Sequence, residues 1–366
     1  MFTKLDPQTA IRIKKYGYTL VFLVPLLAPL GYWIGLKTQH PNLWAWLPLF
    51  FIFAVIPIAD LIIGKDPANP NEKDQAQQLS KELFYRILTL LCLPLQLANL
   101  FFSGWVFYTV DFNLAGSIGW LLSLGVIGGI VAIVVGHELV HKDPKIERLA
   151  GGLLLASVFY GGFKVEHLRG HHVHVSTPED ASSARYGQSL YAFLPHAYLH
   201  NFLNAWKLEY KALQSKNKGF FSFSNELFYW YGFSLVLTGA FYLLFGMSGM
   251  TFFLVQSFLA FSTLEVINYV EHYGLHRRKL DNGRYERTNH THSWNSNYLI
   301  TNLLLFHLQR HSDHHAFPKR RYQILRHFDD SPQLPGGYAT MFLLALVPPF
   351  WFKVMNPRVE AYYREE

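Results

Sequence analysis

The stretch His137-Glu138-Leu139-Val140-His141 sets two imidazoles four residues apart. On a helix that spacing puts both on one face, where they can share a metal ion. The same letters, H-E-x-x-H, are a zinc metalloprotease signature in which the Glu activates water. Two further segments shift the weight. Glu166-His167-Leu168-Arg169-Gly170-His171-His172 and Gln309-Arg310-His311-Ser312-Asp313-His314-His315 each add three histidines at helical i, i+3 or i+4 spacing, and a ninth, His272, sits in Asn268-Tyr269-Val270-Glu271-His272-Tyr273-Gly274. A zinc protease needs three protein ligands, so nine histidines argue for two metals with positions left open for a substrate. The single cysteine, Cys92, excludes a disulfide framework and every cysteine-built iron–sulfur, rubredoxin-type or zinc site. Any metal must be held by His, Asp or Glu, and imidazole-rich sets suit Fe, Cu, Zn and Ni alike.

The elements that must position these residues are apolar. Of the 366 residues 51% are hydrophobic, 17% aromatic and only 16% charged, which points to a bilayer. Runs near the 20 residues that cross a hydrocarbon core as a helix predict spans at about 18–35, 43–63, 87–110 and 112–136. A fifth stretch, 227–264, carries no charge but is too long for one span and is interrupted at Gly246, Ser248 and Gly249. Read as two helices joined by a tight turn, at about 227–246 and 250–270, it gives six spans in one all-α, membrane-embedded domain, 1–366. The connections expected outside, near 36–42, 111–116 and 246–250, contain only Lys37, so 31 of the 32 Lys and Arg lie on the other side. By the positive-inside rule this predicts an inner-membrane protein with both termini, and a histidine-bearing cap formed by 137–226 and 271–366, in the cytoplasm. The first apolar run follows Arg12, Lys14 and Lys15 but precedes Gly31-Tyr32-Trp33 rather than a cleavage site, which predicts a retained anchor. Residues 66–71 read as turn chemistry, and the shorter apolar pieces 149–163 and 338–352 as interfacial or bundle-capping segments. No internal repeat or dinucleotide-binding fingerprint is present.

The histidine pattern in a six-span chain resembles the membrane di-iron superfamily of desaturases and hydroxylases. The stretches His137-Glu138-Leu139-Val140-His141-Lys142, Glu166-His167 with Gly170-His171-His172, Asn268-Tyr269-Val270-Glu271-His272-Tyr273-Gly274-Leu275 and Leu308-Gln309-Arg310-His311-Ser312-Asp313-His314-His315 look like those of alkane 1-monooxygenases, as do Arg284-Tyr285 and His292-Ser293-Trp294-Asn295-Ser296-Asn297. The resemblance covers almost the whole chain. It implies two non-haem irons bound by His137, His141, His167, His171, His172, His272, His311, His314 and His315. It further implies O2 as co-substrate, a rubredoxin-type electron donor with its reductase, and hydroxylation of the terminal methyl of an alkane. An alkane offers only apolar area to bind, about 25 cal/mol per Å2 buried, so a tunnel between spans that ends at the irons is expected.

The remaining histidines read otherwise. His307, four residues before His311, would share its helix face, and a supporting or packing role is expected for it. His196 and His200 follow Pro195 without a third histidine and suit an interfacial helix, and His174 would point away from its neighbours. His276, His290, His292 and His327 read as surface or hydrogen-bonding groups, and His40 lies on the wrong side. Metal-bound imidazoles usually give their second N–H to a carboxylate or carbonyl, which makes Glu138, Glu166, Asp180, Glu265, Glu271 and Asp313 candidates for orienting ligands. Glu265 stands out because it ends an apolar run, where a charge is costly. The clusters Arg277-Arg278-Lys279 and Lys319-Arg320-Arg321 suit anionic lipid headgroups or an acidic electron carrier; no nucleic-acid partner is expected. The rivals are a related desaturase, fatty acid hydroxylase or xylene-type monooxygenase, a membrane zinc protease, and a metal transporter. A transporter would place its ligands near the membrane midplane rather than at helix ends.

Overall fold

The computed structural model describes residues 6–364. Among these the chain is helical throughout, with three isolated bridges and no strand. Five helices are long and apolar enough to cross a membrane: Gln8–Thr38, Pro41–Ile63, Leu83–Thr109, Leu114–Val140 and Glu226–His272. Two extend beyond the sequence reading. The first starts ten residues earlier than residue 18 and carries Lys14 along its side. The fourth runs past Gly136, so His137 belongs to it. The last, 47 residues long, is two helices that meet at Gly246, as the sequence reading expects, with that residue at φ 63° and ψ −156°, a conformation open to glycine and strained for other residues.

That one glycine folds the element back on itself. The rings of Phe241 and Phe253 lie 5.2 Å apart, whereas twelve residues of unbroken helix would separate them by about 18 Å. Helix Leu114–Val140 is the central one: 83% of its most apolar stretch is buried, against 22–44% in the other four. The second arm of the hairpin lies directly along it, and a Cβ on Gly125 would stand 2.4 Å from Cβ of Leu259, so the glycine permits the approach.

At one end of the bundle the connections hold each other, with the backbone N–H of Asn113 donating to Asn42 Oδ1 at 2.9 Å. At the other end the chain builds a cap. Helix Lys145–Ala156 packs on the end of the central helix and buries Gly151, Gly152, Leu154 and Leu155. Tyr338–Ala345 packs against the hairpin, and Pro348–Arg364 buries Trp351, Met355 and Val359. The segment 66–71 does more than turn. Asp66 is buried, accepts from Lys14 Nζ at 2.8 Å, and lies 3.6 Å from the guanidinium of the fully buried Arg310. Arg310 also donates to the carbonyls of Asp66 and Leu325. The residue before His311 is thereby tied to both the first long helix and the loop after the second. A buried ion triad of this kind costs desolvation and is retained only where every partner is in place.

Candidate metal centre

Two short stretches and two helix ends bring the nine histidines into two adjoining groups. The central helix ends in His137 and His141, and i, i+4 spacing puts both into the first group, as the sequence suggests. Residues 167–171 form a π-helical turn rather than an α-helical one, a distortion common at functional sites. Its wider turn aligns His167 with His172, five residues on, with their Nε2 atoms 3.0 Å apart, and turns His171 to the second group. The i, i+4 pairing expected within this stretch is therefore replaced by i, i+5. In helix His311–Ala316, His311 and His315 share the second group, Nε2 to Nε2 2.9 Å, while His314 faces the first. His272, the last residue of the hairpin, completes the second.

The first group is thus His137, His141, His167, His172 and His314, the second His171, His272, His311 and His315, and within each the donor nitrogens all lie within 4.8 Å of one another. The adjacent pairs His171-His172 and His314-His315 each serve both groups, because successive helical side chains point about 100° apart. The groups touch, with the rings of His172 and His315 4.4 Å apart.

Hydrogen bonding alone does not account for this packing. His167 Nε2 lies 3.0 Å from Nε2 of both His141 and His172, and His311 Nε2 lies 3.2 Å from His272 Nε2 as well as 2.9 Å from His315 Nε2. One ring nitrogen carries either a proton or a lone pair, so it cannot satisfy two such neighbours. A shared cation does: two imidazoles at about 2.1 Å from one metal and at right angles stand about 3.0 Å apart. Burial holds His141, His167, His172, His311, His314 and His315 well below the usual histidine range, reinforced by the neighbouring imidazoles. They are neutral at pH 7, the form that ligates metals.

One carboxylate contacts the second nitrogen of a histidine in these groups, as it would to orient a metal ligand. Asp180 Oδ2 lies 2.9 Å from His171 Nδ1 and accepts from Ser183 Oγ at 2.6 Å, while Oδ1 accepts from the Ser182 N–H. Burial alone would push both groups toward neutrality, but facing each other they hold His171 above and Asp180 below its usual range. His272 Nδ1 has the Ser293 hydroxyl at 3.4 Å, a contact that the run His292-Ser293-Trp294 marked only by resemblance.

Several of the other candidates lie elsewhere. Glu138 pairs with Lys142 at 3.0 Å and accepts from the Tyr322 N–H. Its carboxylate is thus committed to Lys142 and the Tyr322 backbone, although it lines the same small space as His137 and His314. Asp313 is clamped by Arg326 at 2.7 Å and Arg320 at 3.4 Å. Glu166 accepts from Asn204. Glu265 accepts from Tyr160, Asn201 and Asn268, and because Asn201 also donates to Ser182 it braces the Asp180 loop indirectly.

The remaining histidines stay outside both groups. His307 does not share a helix face with His311: Phe306 and His307 adopt left-handed backbone, φ 50° and 55°, and the helix begins only at His311. The ring of His307 packs instead against Tyr18 and the carbonyl of Tyr322. His196 and His200 stack on each other, 5.7 Å between centroids. Of the two roles expected for His292 it takes the hydrogen-bonding one: it is buried, contacts Glu286 and accepts from the Asn289 N–H.

Paired imidazole groups at one end of a helical, membrane-type bundle define the class of the chain, and the fatty acid desaturase family model matches residues 112–345. Within it, two proteins called alkane 1-monooxygenase 2 are similar over the full length. The one from Pseudomonas aeruginosa is 57% identical, covering 100% of this chain and 97% of its own; the one from Alcanivorax borkumensis is 56% identical over 100% and 96%. Alkane 1-monooxygenase 1 of Pseudomonas aeruginosa is likewise 56% identical over 100% and 96%. The chain belongs to the alkane 1-monooxygenase family and is an oxidoreductase of the monooxygenase type.

Proposed function

We propose that this chain is a six-span inner-membrane enzyme, with its histidine-bearing end in the cytoplasm, that hydroxylates the terminal methyl of an alkane. The six spans are the four single long helices and the two arms folded at Gly246. The one-sided Lys and Arg count supports the orientation. The nine histidines of the two groups would hold two irons, which with O2 and two electrons supply an oxidising power that no side chain has.

The reading is carried by a file of apolar cavities that runs to the first histidine group. A wide cavity of about 810 Å3 opens between the second long helix, the hairpin's second arm and the Tyr191–Tyr198 stretch. Exposed Phe50, Phe258 and Leu343 stand at its lining, on the face turned to lipid. It shares Phe53, Val126, Thr263 and Phe342 with a narrow cavity of about 60 Å3. That in turn shares Val134, Leu305 and Leu308 with a small space lined by His137 and His314. The wide and narrow cavities are lined by no charged side chain, and Glu138 at the inner end is already paired with Lys142, so an uncharged, apolar ligand is favoured by burial. The narrow segment admits a linear chain end-on, which presents its terminal methyl to the imidazoles and keeps water out. His141 and His172 face a separate surface cleft lined by Lys142, Arg148 and Lys319, with one acidic residue, Asp143, paired to Lys319. This cationic mouth suits an acidic rubredoxin-type donor.

Metal analysis and Mössbauer spectroscopy on the purified, lipid-embedded protein test this reading, together with product analysis from a linear alkane, O2 and reduced rubredoxin. Two irons per chain, 1-alcohols and turnover that falls as salt is raised are expected. One zinc with O2-independent activity would refute the reading, internal alcohols only would refute the end-on passage, and salt-independent turnover would remove the cationic docking site.

The cavity file makes its own prediction. Val126→Phe sets a ring where the wide and narrow cavities meet and should lower turnover of long alkanes at least about tenfold, roughly 1.4 kcal/mol in transition-state access, with two irons retained. Unchanged turnover at full iron content would show that substrate arrives another way.

A further inference from the structure

Glu271 stands apart from the other carboxylates because it faces a histidine from the metal-binding side. Its Oε2 lies 3.2 Å from Nε2 of His311, the same nitrogen that points at His272 and His315. The opposite nitrogen, Nδ1 of His311, has no hydrogen-bond partner, so Glu271 does not orient this ligand in the usual way. Once His311 Nε2 binds a metal it has no proton to donate, and the contact with Oε2 ceases to be a hydrogen bond. Two donor atoms about 3 Å apart are then spaced as neighbours on one ion.

The rest of the Glu271 environment leaves its charge uncompensated. Its side chain is 1% exposed, and the one hydrogen bond to its carboxylate comes from the Tyr338 hydroxyl, to Oε1 at 2.7 Å. A buried carboxylate needs a cation or a full set of donors; the Tyr338 hydroxyl supplies one, to Oε1, and Oε2 faces His311 Nε2. The second histidine group also has four imidazoles where the first has five. Glu271 stands at the edge of that group, outside the 4.8 Å that its nitrogens share, and its partner Tyr338 lines the narrow apolar cavity. We infer that Glu271 is a tenth metal donor, a carboxylate that completes the four-histidine group and is held for that purpose by Tyr338. The inference rests on the two-metal reading above.

The test is iron retention, Mössbauer and X-ray absorption spectra of Glu271→Gln and Tyr338→Phe in the full-length, iron-loaded protein. Glu271→Gln keeps the shape and removes the anion. It should change the parameters of one of the two iron subsites and weaken retention of that iron about 10- to 100-fold, leaving the other subsite as it was. Tyr338→Phe should perturb the same subsite to a smaller degree with both irons present. Spectra of Glu271→Gln that superimpose on the parent's at full iron content would overturn the inference. If Glu271→Gln does not fold, Tyr338→Phe decides by the same comparison. A parent protein without an iron pair would sink the functional reading itself, whereas an intact pair indifferent to Glu271 sinks only this step.

Discussion

Alanine at His315 is expected to abolish hydroxylation while leaving the fold in place, with turnover falling well beyond the roughly 100-fold that loss of a supporting contact costs a metal site. His315 is one of only four imidazoles in its group, and its Nε2 lies 2.9 Å from that of His311 and 3.2 Å from that of His171. Removing it opens a gap between the two ligands it bridges. Its ring also touches His172 of the neighbouring group, so the five-histidine group should loosen as well, though less. Iron content near one per chain with helical circular dichroism unchanged is the expected signature. His307→Ala is the contrast. That ring is equally buried and closer in sequence to His311 than His315's partners in other helices, yet it packs on Tyr18 and Tyr322. It should lose stability and keep both irons. Loss of iron from His307→Ala, or full turnover in His315→Ala, would show that the two groups have been drawn wrongly.

The contrast shows where sequence reasoning reached and where it stopped. Rows of histidine at i, i+4 are legible because a helix repeats every 3.6 residues, and His137 with His141 and His311 with His315 follow that rule. His167 with His172 breaks it, since a π-turn leaves no mark in residue spacing alone. The i, i+4 spacing of His307 and His311 predicts a shared helix face, but the left-handed backbone at Phe306 and His307 breaks the helix between them. The hairpin could be read from Gly246 in an uncharged run, a local signal. Partners distant in sequence could not. Asp66 with Lys14 and Arg310, and Tyr338 with Glu271, are joined only by the fold, across up to 244 residues in the Arg310–Asp66 case. The orienting carboxylates were narrowed to six by type and position, yet choosing Asp180 among them needs the loop that carries it.

That loop sets the second large effect. Asp180→Asn should weaken metal retention at the four-histidine group and lower turnover about 10- to 100-fold, the range for loss of a carboxylate behind a ligating histidine. The substitution keeps size and can still present an oxygen to His171 Nδ1, but it removes the charge that makes His171 a stronger donor. It also disturbs two further contacts, with the Ser183 hydroxyl and the Ser182 N–H. The loop itself should stay put, because it is clamped to the segment after His272: the Gly274 N–H donates to the carbonyl of Ala184 and the Arg277 N–H to that of Ser176. The same clamp ties the orientation of His171 to the end of the hairpin that delivers His272, so both ligands should be affected together. The effect should therefore appear in the spectrum of one iron subsite and in kcat, with alkane KM nearly unchanged, since neither Asp180 nor His171 lines any cavity of the file. Asp180→Ala should be worse than Asp180→Asn, as it leaves His171 Nδ1 without any acceptor. Equal activity in the two variants would mean that the charge, and not the hydrogen bond, is what Asp180 contributes; parental iron retention in both would remove it from the metal site altogether.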